Sequence, residues 1–249
     1  MANPMEQFEV VKQVPLALAG YDISFTNSSL WMVIALAAIS IFLFVGTSKL
    51  ALVPGRWQAS VEYLYDFVRK MMDENVGPEG RRFVPLVFSI FIFVLFCNLL
   101  GLIPWIGAFT PTSHVSVTLG LALIVFITVC IVGFSRHGLH FFSLFWPKGA
   151  NPVLGVFVFT IEVLSFLSRP FTLAIRLFAN MTAGHVLLKV FGTFVVTLGS
   201  FGALPYVFGV VPLAVNVALT ALEVLIAVVQ AYVFALLASL YLNDAVNLH

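Results

Sequence analysis

Between Thr160 and Val190 an apolar stretch carries Glu162, Ser165, Ser168, Arg169, Thr172, Arg176, Asn180, His185 and Lys189. Glu162, Ser165, Arg169, Thr172, Arg176 and Asn180 follow one another at intervals of 3, 4, 3, 4 and 4 residues. That spacing lines them along one face of a helix and leaves the opposite face apolar. One side of such a helix meets lipid or packed protein, and the other meets something polar. Arg176 narrows the chemistry. An arginine deep in a membrane helix costs about 2.5–3.5 kcal/mol on insertion scales, and it keeps its proton at any accessible pH. A permanent cation cannot relay a proton, but it can attract a mobile carboxylate and repel a free proton. Arg169 and Lys189, nearer the ends of the stretch, are placed to snorkel toward the headgroups.

A second apolar stretch carries few strongly polar residues: Asn216, Glu223 and Gln230. Glu223 and Gln230 are seven apart and share nearly one helix face. If the two stretches fold back antiparallel about Ser200–Tyr206, residues equally far from the turn sit at equal depth. Arg176 and Gln230 each lie 27 residues from position 203, and His185 and Glu223 each lie 19 from position 204. The reflection therefore sets Arg176 level with Gln230, and His185 level with Glu223. His185 follows Arg176 by nine residues, about half a turn round a straight helix. Both His185 and Glu223 can gain and lose protons. They lie to one side of Arg176 and Glu162 lies to the other, which suggests two offset half-paths rather than one continuous pore. Blander uses exist for each group. The His185–Glu223 pair could be structural, Glu162 could cap the helix near the headgroups, and Ser165 and Thr172 could bond their own backbone. Asn98 could simply join helices.

The elements that position these groups follow from composition. Of 249 residues, 61% are hydrophobic and 9% charged, against about 25% charged in soluble domains. Lipid must be the outer solvent. A net charge of +1 gives no reason to expect nucleic-acid binding. Cys97 and Cys130 lie in apolar runs and read as small hydrophobes, so no disulfide, metal or cofactor is expected. Glu6, Glu9 and Asp22 precede the first apolar run, which argues against a secretory signal.

A bilayer core takes about 20 apolar residues in a helix. The reading is an all-α integral membrane protein, one membrane domain over residues 1–249. An outer N-terminal segment covers 1–27, and spans cover 28–53, 83–103 and 115–134. The two long helices, 152–198 and 205–242, exceed one perpendicular crossing. They must tilt or bend, helped by Pro170 and Pro212, and pair as an antiparallel hairpin. Residues 55–75 mix Trp57, Tyr63, Leu64 and Phe67 with charged residues and read as an interfacial amphipathic helix. The Lys and Arg residues gather in two connections, with Lys49, Arg56, Arg69, Lys70, Arg81 and Arg82 in one and Arg136 and Lys148 in the other. The connections Pro104–His114 and Gly199–Tyr206 carry none. The positive-inside rule puts the N-terminus outside and the C-terminus inside.

SRPFTLAIRLFANMTAGH (168–185) resembles the signature of the F-type ATP synthase subunit a family. ALEVLIAVVQAYVFALLASLYL (221–242) looks like that family's last helix, and FCNLLGLIPW (96–105) like its earlier membrane motif. The resemblance covers nearly the whole chain. It implies a stationary wall beside a rotating c-ring, with two offset half-channels and no catalysis of its own. Arg176 would hold the deprotonated ring carboxylate and block a direct leak, with Gln230 as its neighbour. Glu223, His185 and Asn180 would belong to the outer path, and Glu162, Ser165 and Thr172 to the inner one. Some family members place an acid at the position of His185 and a histidine at that of Glu223, and this chain has the reverse order. The implied partners are c-ring subunits, b-type peripheral-stalk subunits, other ATP synthase subunits and lipid. The implied location is a bacterial inner membrane, with the mitochondrial one as alternative. Two other classes compete: a secondary transporter binding an anionic substrate at Arg176, and a membrane-embedded enzyme using Arg136, His137 and His140. No internal repeat favours the first, and no phosphate loop or nucleophile triad favours the second.

Overall fold

A computed structural model describes residues 11–15, 17–18, 21–22, 24–103, 109–146, 152–199 and 205–247. The reversal expected at Ser200–Tyr206 lies mostly outside these residues, as do Lys148, most of the Pro104–His114 connection's first half and residues 1–10. Six α-helices dominate: α1 Asn27–Thr47, α2 Arg56–Asn75, α3 Val84–Gly101, α4 Val115–His137, α5 Pro152–Gly199 and α6 Pro205–Val246. Short 3-10 segments cover Pro78–Phe83, Pro111–Ser113 and Gly138–Phe145. Near the N-terminus, β1 (Lys12–Val14) pairs antiparallel with β4 (Phe25–Thr26), and β2 (Ala17–Leu18) with β3 (Tyr21–Asp22). Among the described residues, five helical segments are long and apolar enough to cross a membrane: Asn27–Thr47, Pro78–Gly101, Val115–Phe142, Leu154–Leu198 and Val210–Val246. The protein is an all-α membrane protein.

The helices follow from local chemistry. Thr26 caps α1, its hydroxyl accepting from the Ser29 amide at 3.3 Å. Along α4 the buried residues Thr118, Ala122, Val125, Val129 and Val132 step by 4, 3, 4 and 3, so one stripe packs while the rest of the surface stays apolar for lipid. α2 has the amphipathic pattern of a surface helix, burying Gln58, Val61, Val68, Met71 and Met72 and leaving all its charges but the half-buried Asp73 exposed. At 48 residues, α5 is about 72 Å long, more than twice the roughly 30 Å hydrocarbon core. Pro170 lies inside it and takes one donor from the helix ladder without ending it. α6 likewise contains Pro212. Its buried residues Ala227, Ala231, Ala235, Ala238, Leu242 and Ala245 recur at intervals of 4, 4, 3, 4 and 3. Such a small-residue face lets a neighbouring helix approach closely.

The chain sorts into two compact units, and several helices contribute to both. The first comprises residues 1–40, 93–114 and 177–231. Its interior is unusually polar, holding Asn98, Thr110, Thr112, Ser113, Glu223 and Gln230 among Val94, Leu177, Met181 and Ala227. The second comprises residues 41–92, 115–176 and 232–249. Its interior is aromatic and aliphatic. Phe141 meets Phe134, Phe145 and Phe166, and Phe67 lies between Phe91 and Tyr232. The ion pairs Arg81–Asp73, Arg136–Glu79 and Arg169–Asp244 all belong to this second unit.

Candidate functional site

In the first unit, four segments bring their polar groups together. α5 contributes Asn180, Thr182 and His185, and α6 contributes Glu223 and Gln230. α3 contributes Asn98, and the loop before α4 contributes Thr110, Thr112 and Ser113. Asn98, Thr110, Thr112, Ser113, Glu223 and Gln230 are buried, Thr182 and His185 half-buried and Asn180 exposed; polar groups in an apolar surrounding must find partners, and most of these do. Asn180 Nδ2 donates to Gln230 Oε1 at 2.9 Å. Thr112 donates to Asn98 Oδ1 at 2.7 Å, and Asn98 Nδ2 donates to the Ala227 carbonyl at 3.3 Å. Thr182 donates to the Ser113 carbonyl at 3.4 Å. His185 Nε2 lies 2.8 Å from Thr110 Oγ1.

The pair His185–Glu223 stands at the centre of this cluster, with Nδ1 3.6 Å from Oε1. Glu223 is only 3% exposed. Neither of its carboxylate oxygens has a hydrogen-bond partner among the described residues, and the same holds for Gln230 Nε2. A glycine makes room for the acid: a Cβ at position 184 would stand 2.7 Å from Glu223 Oε1. Two groups able to exchange a proton, the acid buried and unsatisfied and the imidazole 11% exposed, are suited to proton transfer.

The two partnerships His185–Glu223 and Asn180–Gln230 run in opposite directions along α5 and α6, as an antiparallel hairpin requires. The hydrogen bond of Gln230 goes to Asn180, one helical turn beyond the Arg176 with which the reflection aligned it.

In the second unit, Arg176 lies close to the midpoint of α5 and is exposed. Among the described residues it has no hydrogen-bond or ion-pair partner. Thr172 and Ser165 are exposed on the same helix, Glu162 is half-buried, and Thr172 donates to the Arg169 carbonyl at 3.0 Å. Arg169 is fixed. Its Nη1 donates to Asp244 Oδ2 at 2.6 Å, and its guanidinium lies 5.3 Å from the Phe166 ring and 4.9 Å from the Tyr241 ring. Sequence reasoning did not single out Asp244, Tyr241 or Thr110. Asp244 lay outside the reflection rule, since Arg169 lies 34 residues before position 203 and Asp244 lies 41 after it. Thr110 sits in a loop, where no periodicity signals a contact.

Fold and site together define a polytopic membrane protein with an enclosed histidine–glutamate pair and an exposed cation halfway along a long helix. Residues 29–243 match the family described as ATP synthase A chain. The chain is 52% identical over 255 residues to "ATP synthase subunit a" of Paramagnetospirillum magneticum, with all of both chains covered. It is 53% identical to the protein of that name from Mesorhizobium japonicum, covering 98% of this chain and 96% of that one. It is 47% identical over 250 residues to that of Rhodospirillum rubrum, with all of both covered. The chain belongs to the ATP synthase A chain family.

Proposed function

We propose that this chain is the stationary proton-conducting subunit of an ATP synthase and presents Arg176 to the carboxylates of a rotating c-ring. The observation that carries this reading is the exposure of Arg176 halfway along α5, without an ion-pair partner among the described residues. A guanidinium so placed in a membrane calls for a carboxylate supplied from outside the chain. A ring whose carboxyl groups pass in turn meets that need.

The order of groups along the sequence supports two half-paths. Glu223, His185 and Asn180 would serve the outer one, Gln230 would neighbour Arg176, and Glu162, Ser165 and Thr172 would serve the inner one. Each proton crossing 100 mV releases about 2.3 kcal/mol. A rotor harvests that energy only where no direct route exists, and a cation that never deprotonates blocks such a route. The chain itself then performs no catalysis; it works with c-ring subunits, peripheral-stalk subunits of b type and the remaining synthase. The bacterial relatives favour a bacterial inner membrane, and the basic connections favour an outer N-terminus and an inner C-terminus.

The test is Arg176→Ala in inverted vesicles carrying the complete synthase. ATP-driven proton pumping should vanish while the chain still inserts and assembles. Normal pumping by the assembled variant overturns the proposal.

A further inference from the structure

The imidazole of His185 is held from two sides. Nδ1 faces Glu223 Oε1 on α6 at 3.6 Å, and Nε2 lies 2.8 Å from the hydroxyl of Thr110 in the loop before α4. We infer that Thr110 is a positioning residue for proton exchange between His185 and Glu223, keeping Nε2 engaged so that Nδ1 stays turned toward the carboxyl. This rests on the proton-conducting reading above.

The chemistry favours a hydroxyl at this place. When doubly protonated His185 gives up a proton, the Nδ1–H bond breaks and an O–H bond forms on Glu223. The ring then keeps its Nε2–H, which the Thr110 oxygen accepts. When the ring instead carries its single proton on Nδ1, the hydroxyl turns and donates to Nε2. A hydroxyl both donates and accepts, so one side chain serves every state without moving. An apolar residue of the same shape serves none of them. The charged groups facing the ring among the described residues include Glu223 from α6 and Lys189 one turn along α5.

The surroundings of Thr110 are built to hold it there. A Cβ at Gly101 would fall 1.9 Å from Thr110 Oγ1, so glycine at 101 is what leaves space for the hydroxyl. Ser113 donates to the Thr110 carbonyl at 2.6 Å, which closes the loop on itself. Thr112 and Asn98 fasten that loop to α3, and Asn98 in turn binds α6. Thr182 ties it to α5. These bonds involve three helices, and each of them fixes the height of the loop beside His185.

The experiment measures ATP-driven proton pumping against pH in inverted vesicles carrying the complete synthase. Thr110→Ser keeps the hydroxyl and should keep the wild-type pH profile. Thr110→Val keeps the shape and loses the hydroxyl. It should slow pumping about three- to tenfold, the worth of one hydrogen bond, and move the midpoint of the profile by roughly half a unit or more. Gly101→Ala, which evicts the hydroxyl, should reproduce the Val profile. If Val prevents assembly, Thr110→Ala gives the same reading. A Val or Ala variant that assembles and keeps the wild-type profile overturns the inference. So does a chain that assembles with Ser alone and is lost with both Val and Ala, because the role is then structural. If His185→Gln stops pumping while Thr110→Val leaves it intact, the inference falls and the proposed function stands. If neither changes pumping, the place of His185 in the outer path falls as well.

Discussion

Gly184 packs against the carboxyl end of Glu223: a Cβ at position 184 would lie 2.7 Å from Oε1 and 3.0 Å from Cδ. Any side chain there displaces the acid from its 3.6 Å approach to His185. Because the group met first is the far end of a flexible side chain, the fold should lose stability only at the low end of the about 1–3 kcal/mol cost of overpacking. Transport should suffer far more, since a displacement of about 1 Å can cost a hundredfold. Gly184→Ala is expected to assemble and pump about ten- to a hundredfold more slowly. Adding Glu223→Asp, which shortens the acid, should recover part of the loss. Gly120→Ala, where the added Cβ meets nothing within 4 Å, is the control. Wild-type pumping by an assembled Gly184→Ala chain would show that the geometry of the acid does not matter.

The hairpin register makes a separate prediction. With Cys97 and Cys130 replaced by alanine, cysteines at 185 and 223 should crosslink under mild oxidation, and so should cysteines at 180 and 230. A pair shifted two turns, 185 with 230, should not. Crosslinking of the shifted pair alone would mean that α5 and α6 slide past one another in the membrane. The readout is mobility of the chain on a denaturing gel after fragmentation between the helices.

Much of this arrangement is legible in the sequence, and what is not has identifiable causes. Five apolar stretches become five helices long and apolar enough to cross a membrane because hydrophobic length alone decides that outcome. His185 and Glu223 come together because buried polar groups on facing helices must find one another, so equal distance from the turn is informative. The same rule misplaces the bond of Gln230 by one turn. It assumes straight helices of equal rise, and it ignores that Asn180 offers an amide to pair with the amide of Gln230. Asp244 escapes notice because it sits in a polar run that reads as the end of a span, whereas α6 continues to Val246. Thr110 escapes because loop conformation leaves no periodic trace.

Asp73, at the end of α2, carries a pH signature. Arg81 hydrogen-bonds its carboxyl at 2.9 Å, and Arg69 lies 4.0 Å away. The Arg81 bond holds the carboxyl below its ordinary 3.8. A depressed acid stabilises the folded chain fully above its unfolded value and loses that contribution as pH falls through the lower folded value. The pairing should therefore be constant above roughly pH 4 and fade only in stronger acid. Arg81→Ala should bring the midpoint back up toward 3.8, and raising salt to about 1 M should shrink the wild-type shift. The check is titration of the Asp73 carboxyl by carbon-13 resonance. An unchanged midpoint in the variant would assign the shift to another group.

Asp244 holds Arg169 at 2.6 Å between the rings of Phe166 and Tyr241. Asp244→Ala leaves a guanidinium in a mainly aromatic surrounding without its counter-ion. Hydrogen bonds to charged groups are worth about 1.5–3 kcal/mol. The two side chains are 21% and 34% exposed, so solvent screening pulls the expected loss toward the lower figure. Asp244→Glu should recover most of it. The double change Arg169→Met with Asp244→Leu should be less damaging than Asp244→Ala alone, because no unpaired charge is then left behind. Thermal denaturation of the complex in mild detergent measures each value. If the double change proves as destabilising as the single one, the cost lies in lost packing around Tyr241, and the ion pair contributes little to holding α5 against the end of α6.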